Sequence, residues 1–125
     1  MHFSTYISDL LYRYECVIVP GFGAFLAHRV SAHYDETTQA FFPPKKRISF
    51  NAQLQENDGL LANYIASAER LSYEDALLQV QEFGLQIQQK LDAEERVYVD
   101  KIGTLTRNEA GKISFEPEAK TNYLT

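Results

Sequence analysis

The stretch Val17-Ile18-Val19-Pro20-Gly21-Phe22-Gly23-Ala24-Phe25 constrains this chain more than any other. A β-branched run favours a buried extended strand, Pro20 cannot donate to a ladder, and Gly21 and Gly23 open dihedrals that other residues avoid. The chain therefore turns sharply beside its own core. Eighty residues later the pattern returns as Val97-Tyr98-Val99-Asp100-Lys101-Ile102-Gly103-Thr104-Leu105. Val97, Val99, Gly103 and Leu105 fall in register with Val17, Val19, Gly23 and Phe25, which reads as an internal duplication. Pro20, Gly21, Phe22, Gly23 and Gly103 are then structural residues that shape the two turns.

The duplication continues in a second strand, where Arg47-Ile48-Ser49-Phe50 returns as Lys112-Ile113-Ser114-Phe115. Twenty-two residues lie between Phe25 and Ile48, but only seven between Leu105 and Ile113. The copies agree at the core and differ in the arm that leaves it.

Around these copies the pattern is helical. Phe3, Tyr6, Ile7, Leu10, Leu11 and Tyr14 form one apolar stripe, with Ser4 expected to cap it. An extended stretch to Tyr34, a polar turn over Asp35-Glu36-Thr37-Thr38 and a return through Phe42 suggest a β-arm, interrupted by Pro43-Pro44. Asn51 to Gln55 reads as a short helix. Asn57 or Asp58 is expected to cap the next, with Leu60, Leu61, Tyr64, Ile65 and Ala68 on its face. Ser72 and Asp75 resemble a capping box opening the longest helix, on which Gly84 predicts a close helix crossing. Asn108-Glu109-Ala110-Gly111 predicts a short hairpin. Pro117 is expected to start a last helix through Ala119 and Tyr123, which stops short of a full apolar face and implies a longer parent protein.

With 125 residues, 45% of them hydrophobic, the chain can bury a core without disulfides. Its single cysteine, Cys16, reads as a small buried residue in a reducing compartment, the cytoplasm. No run is long and apolar enough to span a bilayer, so no direct membrane contact is expected. Net charge is −5, but residues 26–47 hold Arg29, Lys45, Lys46 and Arg47 against Asp35 and Glu36, leaving −7 on the remainder. One basic segment sits on an acidic body.

Together these residues resemble the HU/IHF-type DNA-binding superfamily, whose hallmark is a Gly-Phe-Gly-Thr-Phe-like turn at the base of a β-arm. Residues 1–57 look like a first half with a truncated helical part and a long arm, and residues 58–125 like a second half with two helices and a short hairpin. The resemblance implies an α+β fold in which two HU-like halves form a covalent pseudo-dimer with β-arms of unequal length. More closely, Pro20-Gly21-Phe22-Gly23, Pro43-Pro44, Phe50-Asn51 and Asn57-Asp58-Gly59 resemble the tandem HU-like region of Bacteroidetes envelope proteins. Those proteins carry it ahead of a membrane segment and a peptidoglycan-binding SPOR domain. The Arg-Asn-Pro triplet that tips the arms of HU proteins is absent from Asp35-Glu36.

Arg29, Lys45, Lys46 and Arg47 are the candidate nucleic-acid contacts, because cations on an extended arm can track phosphates without reading sequence. The bland alternative is a solvated flank guarding a strand edge. Tyr34, Phe41, Phe42, Pro43 and Pro44 are possible arm contacts, although aromatics there more often pack an arm onto its own core. His28 and His33 lack metal-ligand spacing, and no metal or cofactor is expected. Gly21-Phe22-Gly23 lacks a third glycine for a phosphate loop, and Glu56, Asp58, Glu74 and Asp75 gather at helix starts where carboxylates complement the dipole. The expectation is a non-enzymatic module. It binds duplex DNA weakly and without sequence preference, linking an envelope protein to the nucleoid, or it is a protein-interaction scaffold that has lost DNA. The sequence leaves homo-oligomerisation open.

Overall fold

Ile7, Leu10 and Leu11 are buried on one stripe of the first helix, α1 (Phe3–Arg13), and this burial holds it in place. The computed structural model describes residues 2–118. The His2 carbonyl accepts from Thr5 N and Tyr6 N at 3.1 and 3.3 Å, closing the first turn ahead of Ser4. Ser4 therefore lies inside the helix, contrary to its expected role as cap.

Eight strands and two further helices follow among the described residues: β1 (Cys16–Val19), β2 (Gly23–Val30), β3 (His33–Asp35), β4 (Ala40–Phe42), β5 (Lys45–Asn51), α2 (Leu60–Glu69), α3 (Tyr73–Asp92), β6 (Val97–Val99), β7 (Gly103–Arg107) and β8 (Ile113–Pro117). They make two three-stranded antiparallel sheets, β1-β2-β5 and β6-β7-β8, and a separate β3-β4 ribbon.

The duplication is visible in the pairing. Val17 faces Phe25 and Val19 faces Gly23, while Val97 faces Leu105 and Val99 faces Gly103. Each turn is closed by the same 3.0 Å bond, Phe22 N to Val19 O and Ile102 N to Val99 O. A Cβ on Gly23 would lie 2.4 Å from the Phe50 ring, and one on Gly103 would lie 2.5 Å from the Phe115 ring. A side chain at either glycine would have to displace its phenylalanine. Gly21, at φ 79°, is matched by Lys101 at φ 67°, so the second turn keeps the left-handed conformation without the glycine.

Both halves share one core. Phe22, Phe25, Ile102 and Leu105 are fully buried, each such side chain contributing roughly 1.5–3 kcal/mol. The Phe25 ring meets Phe115 edge-on at 5.9 Å, and Phe3 stacks on Phe83 at 4.4 Å. Phe3 and Phe83 are equivalent under the eighty-residue offset, so this stack marks the pseudo-two-fold axis. The chain is an α+β covalent pseudo-dimer, as its two copies of the turn imply.

Several local expectations are revised. Gly84 does touch a neighbour closely, but the neighbour is the β1–β2 turn: its Cβ would lie 3.2 Å from Val19 and 3.3 Å from Phe22. Helix α3 crosses the end of a strand there, and Gln88 fixes the contact by donating to Gly21 O at 3.0 Å. Residues 51–55 form no helix, because the Asn51 side chain accepts from Gln53 N and ends β5 in a turn. The cap of α2 is Gly59, with φ 83°; Asn57 and Asp58 instead accept from Gly59 N and Leu60 N in two successive Asx turns. Ala62 takes the inward position on α2, and Ala68 is exposed. Ser72 does cap α3, accepting from Asp75 N at 3.1 Å. Pro117 belongs to β8, an edge strand that can spare its N–H, so it starts no helix. The rest of the expected last helix lies outside the described residues.

Candidate nucleic-acid interface

Strand alternation decides what the basic segment presents. In the β2–β5 ladder His28 faces Arg47, Arg29 faces Lys46, and Val30 faces Lys45. Successive residues point to opposite sides, so Lys45-Lys46-Arg47 cannot form one patch.

Arg29 and Lys46 continue the inward side of Ala27 and Ile48, toward the C-terminal end of α1. Lys46 is 3% exposed; its Nζ donates to the Leu11 carbonyl and sits 4.4 Å from the centroid of the Tyr12 ring. Arg29 Nη2 donates to the Tyr12 carbonyl at 3.1 Å. The last carbonyls of a helix lack intrahelical donors, and the dipole there favours cations, so this is where a strand-borne lysine and arginine are most useful to the fold. Burial, followed by the Arg29 charge, lowers the Lys46 pKa. Lys46 is therefore a structural cation, and its expected role in nucleic-acid contact is corrected. Arg29 stays exposed, with one nitrogen committed to α1.

Lys45 and Arg47 share the outer side with His28 and Ser49, whose Oγ lies 3.4 Å from His28 Nε2. Arg47 is exposed and Lys45 half-buried.

Beyond Val30 the ladder breaks at Ser31-Ala32 on one strand and Pro43-Pro44 on the other. The ribbon past the break is the arm tip. His33 stacks on Phe42 at 4.8 Å on one face, and Tyr34 stands opposite Phe41 in the β3–β4 pairing. Tyr34 is 57% exposed, Phe41 66% and Phe42 43%. These rings do not fold onto the core as aromatic residues more often do, because the ribbon carries them beyond the sheet. Asp35 accepts from Thr37 N at 3.0 Å and shapes an acidic turn with Glu36.

The second half repeats the anchoring device. Arg107, at the position of Ala27, donates to Gly111 O and to Asp92 at the end of α3, both at 2.8 Å. A shallow groove of about 570 Å³ lies between the sheets, with Leu26, Phe50 and Asn51 on one wall and Arg107, Lys112 and Ile113 on the other.

Other titration shifts have local causes. Burial, then Asp58, raises the Cys16 thiol. Hydrogen bonding to Glu69 raises Tyr6, desolvation with Asp9 raises Tyr64, and bonding to Glu118 raises Tyr98. Each of the three keeps a phenol protonated beside a carboxylate.

Two family models match in tandem: CCDC81-like prokaryotic HU domain 1 over residues 1–58 and CCDC81-like prokaryotic HU domain 2 over residues 59–125. The chain belongs to this HU family. No curated protein and no solved structure matched it. HU-like domains point to a module of the DNA-binding type, and in this tandem HU chain the outward cations are Lys45 and Arg47 on the first sheet and Lys112 beside the second. The sequence reading passed over Lys112. Its signal was the repeat itself, which sets Lys112 at the position of Arg47. No helix among the described residues is long and apolar enough to cross a membrane.

Proposed function

We propose that this tandem HU chain is a non-enzymatic module that lays the outer side of its first sheet against the backbone of duplex DNA, weakly and without sequence preference. The observation that carries the reading is the shared outward side of Lys45 and Arg47 on an HU arm base. Two such cations can each neutralise a phosphate, and a chain of net charge −5 limits the affinity. The arm lacks a proline at its Asp35-Glu36 turn, so the reading includes no wedging between base pairs. The proposal extends to location: the module works in the cytoplasm, as part of a longer membrane-anchored envelope protein that it ties to the nucleoid. Co-fractionation of the full-length protein with both membrane and nucleoid checks that part.

The test is a duplex titration at about 50 and about 200 mM salt, with a Lys45→Glu/Arg47→Glu variant beside the wild type. Salt-sensitive binding that the variant loses supports the reading. Absent binding, or equal binding by the variant, sinks it.

A second reading, a protein-interaction scaffold, is favoured by the burial of Lys46 and the exposed rings of Tyr34 and Phe41. Capture of a protein partner that survives nuclease treatment and is lost in Tyr34→Ser/Phe41→Ser would favour it.

A further inference from the structure

The ladder breaks between Val30 and His33, yet the break adds no residue to either strand. Val30 faces Lys45 and, three residues further along each strand, His33 faces Phe42. The alternation that turns Lys45 and Arg47 outward therefore carries through to Tyr34 and Phe41 on the same side. Glu36, exposed in the acidic turn, stands two residues beyond Tyr34. From base to tip, one side of the arm reads cation, ring, acid. On the opposite side His33 and Phe42 cover each other, whereas Tyr34 and Phe41 are the most exposed rings of the arm. Strands β3 and β4 pack chiefly on each other, and an isolated two-stranded ribbon is marginal in water, so a cover over the bare rings stabilises it.

We propose that this side of the arm is a self-association surface, on which a second copy of the chain seats its own arm end for end. The inference needs nothing from the DNA reading, although a duplex on Lys45 would exclude the second copy.

The charges select that occupant. A two-fold axis at Tyr34 and Phe41 lays these rings on their own images and turns the acidic end of each arm toward the basic end of the other, an isologous contact. Glu36 lies two residues from the axis and Lys45 four, a mismatch of about 7 Å that the long lysine stem spans. Duplex DNA is the poorer occupant of the rings, since Glu36 beyond them repels phosphates. Two rings a side make a small patch, so the pair is weak and transient, half-formed on the order of 100 µM.

The test is sedimentation of the nucleic-acid-free chain from about 10 µM to about 1 mM at low salt. The wild-type mass should rise toward twice that of the monomer, and added salt should lower it. Phe41→Ser should weaken association about tenfold or more. Glu36→Lys and Lys45→Glu should each weaken it about tenfold, because each sets like charges against one another at both ends of the pair. Mixed one to one, these two variants should associate as the wild type does, since every end-to-end contact is then between opposite charges. Glu36 and Phe41 are exposed and Lys45 is half-buried, and unchanged urea midpoints establish that the variants fold. A wild type that stays monomeric to about 1 mM overturns the proposal, as does association indifferent to Phe41→Ser. Mixed variants that stay apart while the wild type associates overturn it too. A monomeric chain whose duplex binding is lost with Phe41→Ser would assign the rings to DNA instead.

Discussion

Lys46 Nζ donates to the main-chain carbonyl of Leu11, thirty-five residues earlier, at the last turn of α1. A residue that would serve as a phosphate ligand in an open arm here joins the sheet to a helix end. Lys46→Met keeps most of the stem packing and removes the charge, the hydrogen bond and the contact with the Tyr12 ring. The expected loss is about 1–3 kcal/mol by urea denaturation, with duplex affinity held at the wild-type value.

The same lysine gives a pH signature. Its folded pKa is lowered by burial, so between that value and the ordinary lysine value of roughly 10.4 the unfolded chain binds more protons than the folded one. Stability from this group therefore rises with pH through that window. Measured from pH 7 upward, the stability of the wild type relative to Lys46→Met should shift in favour of the wild type. A flat or falling difference would show that the side chain is not desolvated. The tyrosines with raised pKa are common to both proteins and cancel.

Arg47 makes the opposite prediction. It is exposed, so Arg47→Ala should move the urea midpoint little, within about 0.5 kcal/mol. On duplex DNA it should weaken binding uniformly across sequences and make the slope of log K against log salt shallower by about 1. Arg47→Ala and Lys46→Met thus separate contact from scaffolding on two adjacent residues of one strand.

Gly103→Ala should destabilise more than Gly23→Ala. The added Cβ would meet the Glu116 carbonyl oxygen at 2.4 Å as well as the Phe115 ring, whereas at Gly23 the closest atom belongs to the Phe50 side chain and the Asn51 carbonyl stands off at 3.0 Å. A ring can shift, and a paired strand backbone cannot do so without breaking its ladder. The expected costs are about 3 kcal/mol or more and about 1–3 kcal/mol, read from thermal or urea unfolding.

Lys101→Gly should stabilise the fold. Lys101 is exposed and holds φ 67°, the conformation that its counterpart Gly21 adopts at φ 79°. Relief of about 1–2 kcal/mol of left-handed strain exceeds the added unfolded-state entropy of about 0.4–1 kcal/mol, for a net gain near 0.5–1 kcal/mol. A drop in melting temperature would place the left-handed assignment in error.

How much of this is legible in the sequence depends on whether a residue's role is local. Val17, Val19, Gly23 and their copies at Val97, Val99 and Gly103 declare strand, turn and duplication, because alternation and close approach leave marks at fixed spacing. Ser72 with Asp75 declares a helix start for the same reason. The fate of Lys46 depends on α1 ending beside β5, a long-range relation that no window around residues 45–47 contains. Gly84 shows both sides: the missing side chain signals a close contact, but nothing near it says that the neighbour is Phe22. The turn over Asn51 to Gln55 was hidden because Asn and Gln suit a helix end and an Asx turn alike. Lys112 was within reach, since the repeat Lys112-Ile113-Ser114-Phe115 had already aligned it with Arg47.

The stack of Phe3 on Phe83 joins two copies of one ancestral position inside a single polypeptide. In an assembly of identical subunits every change is made twice, so one long arm and one short arm cannot coexist. Here the copies mutate separately yet meet in a fixed ratio, and their encounter is set by the tether and not by dilution. The molecule can keep one arm for contact and let the other shrink.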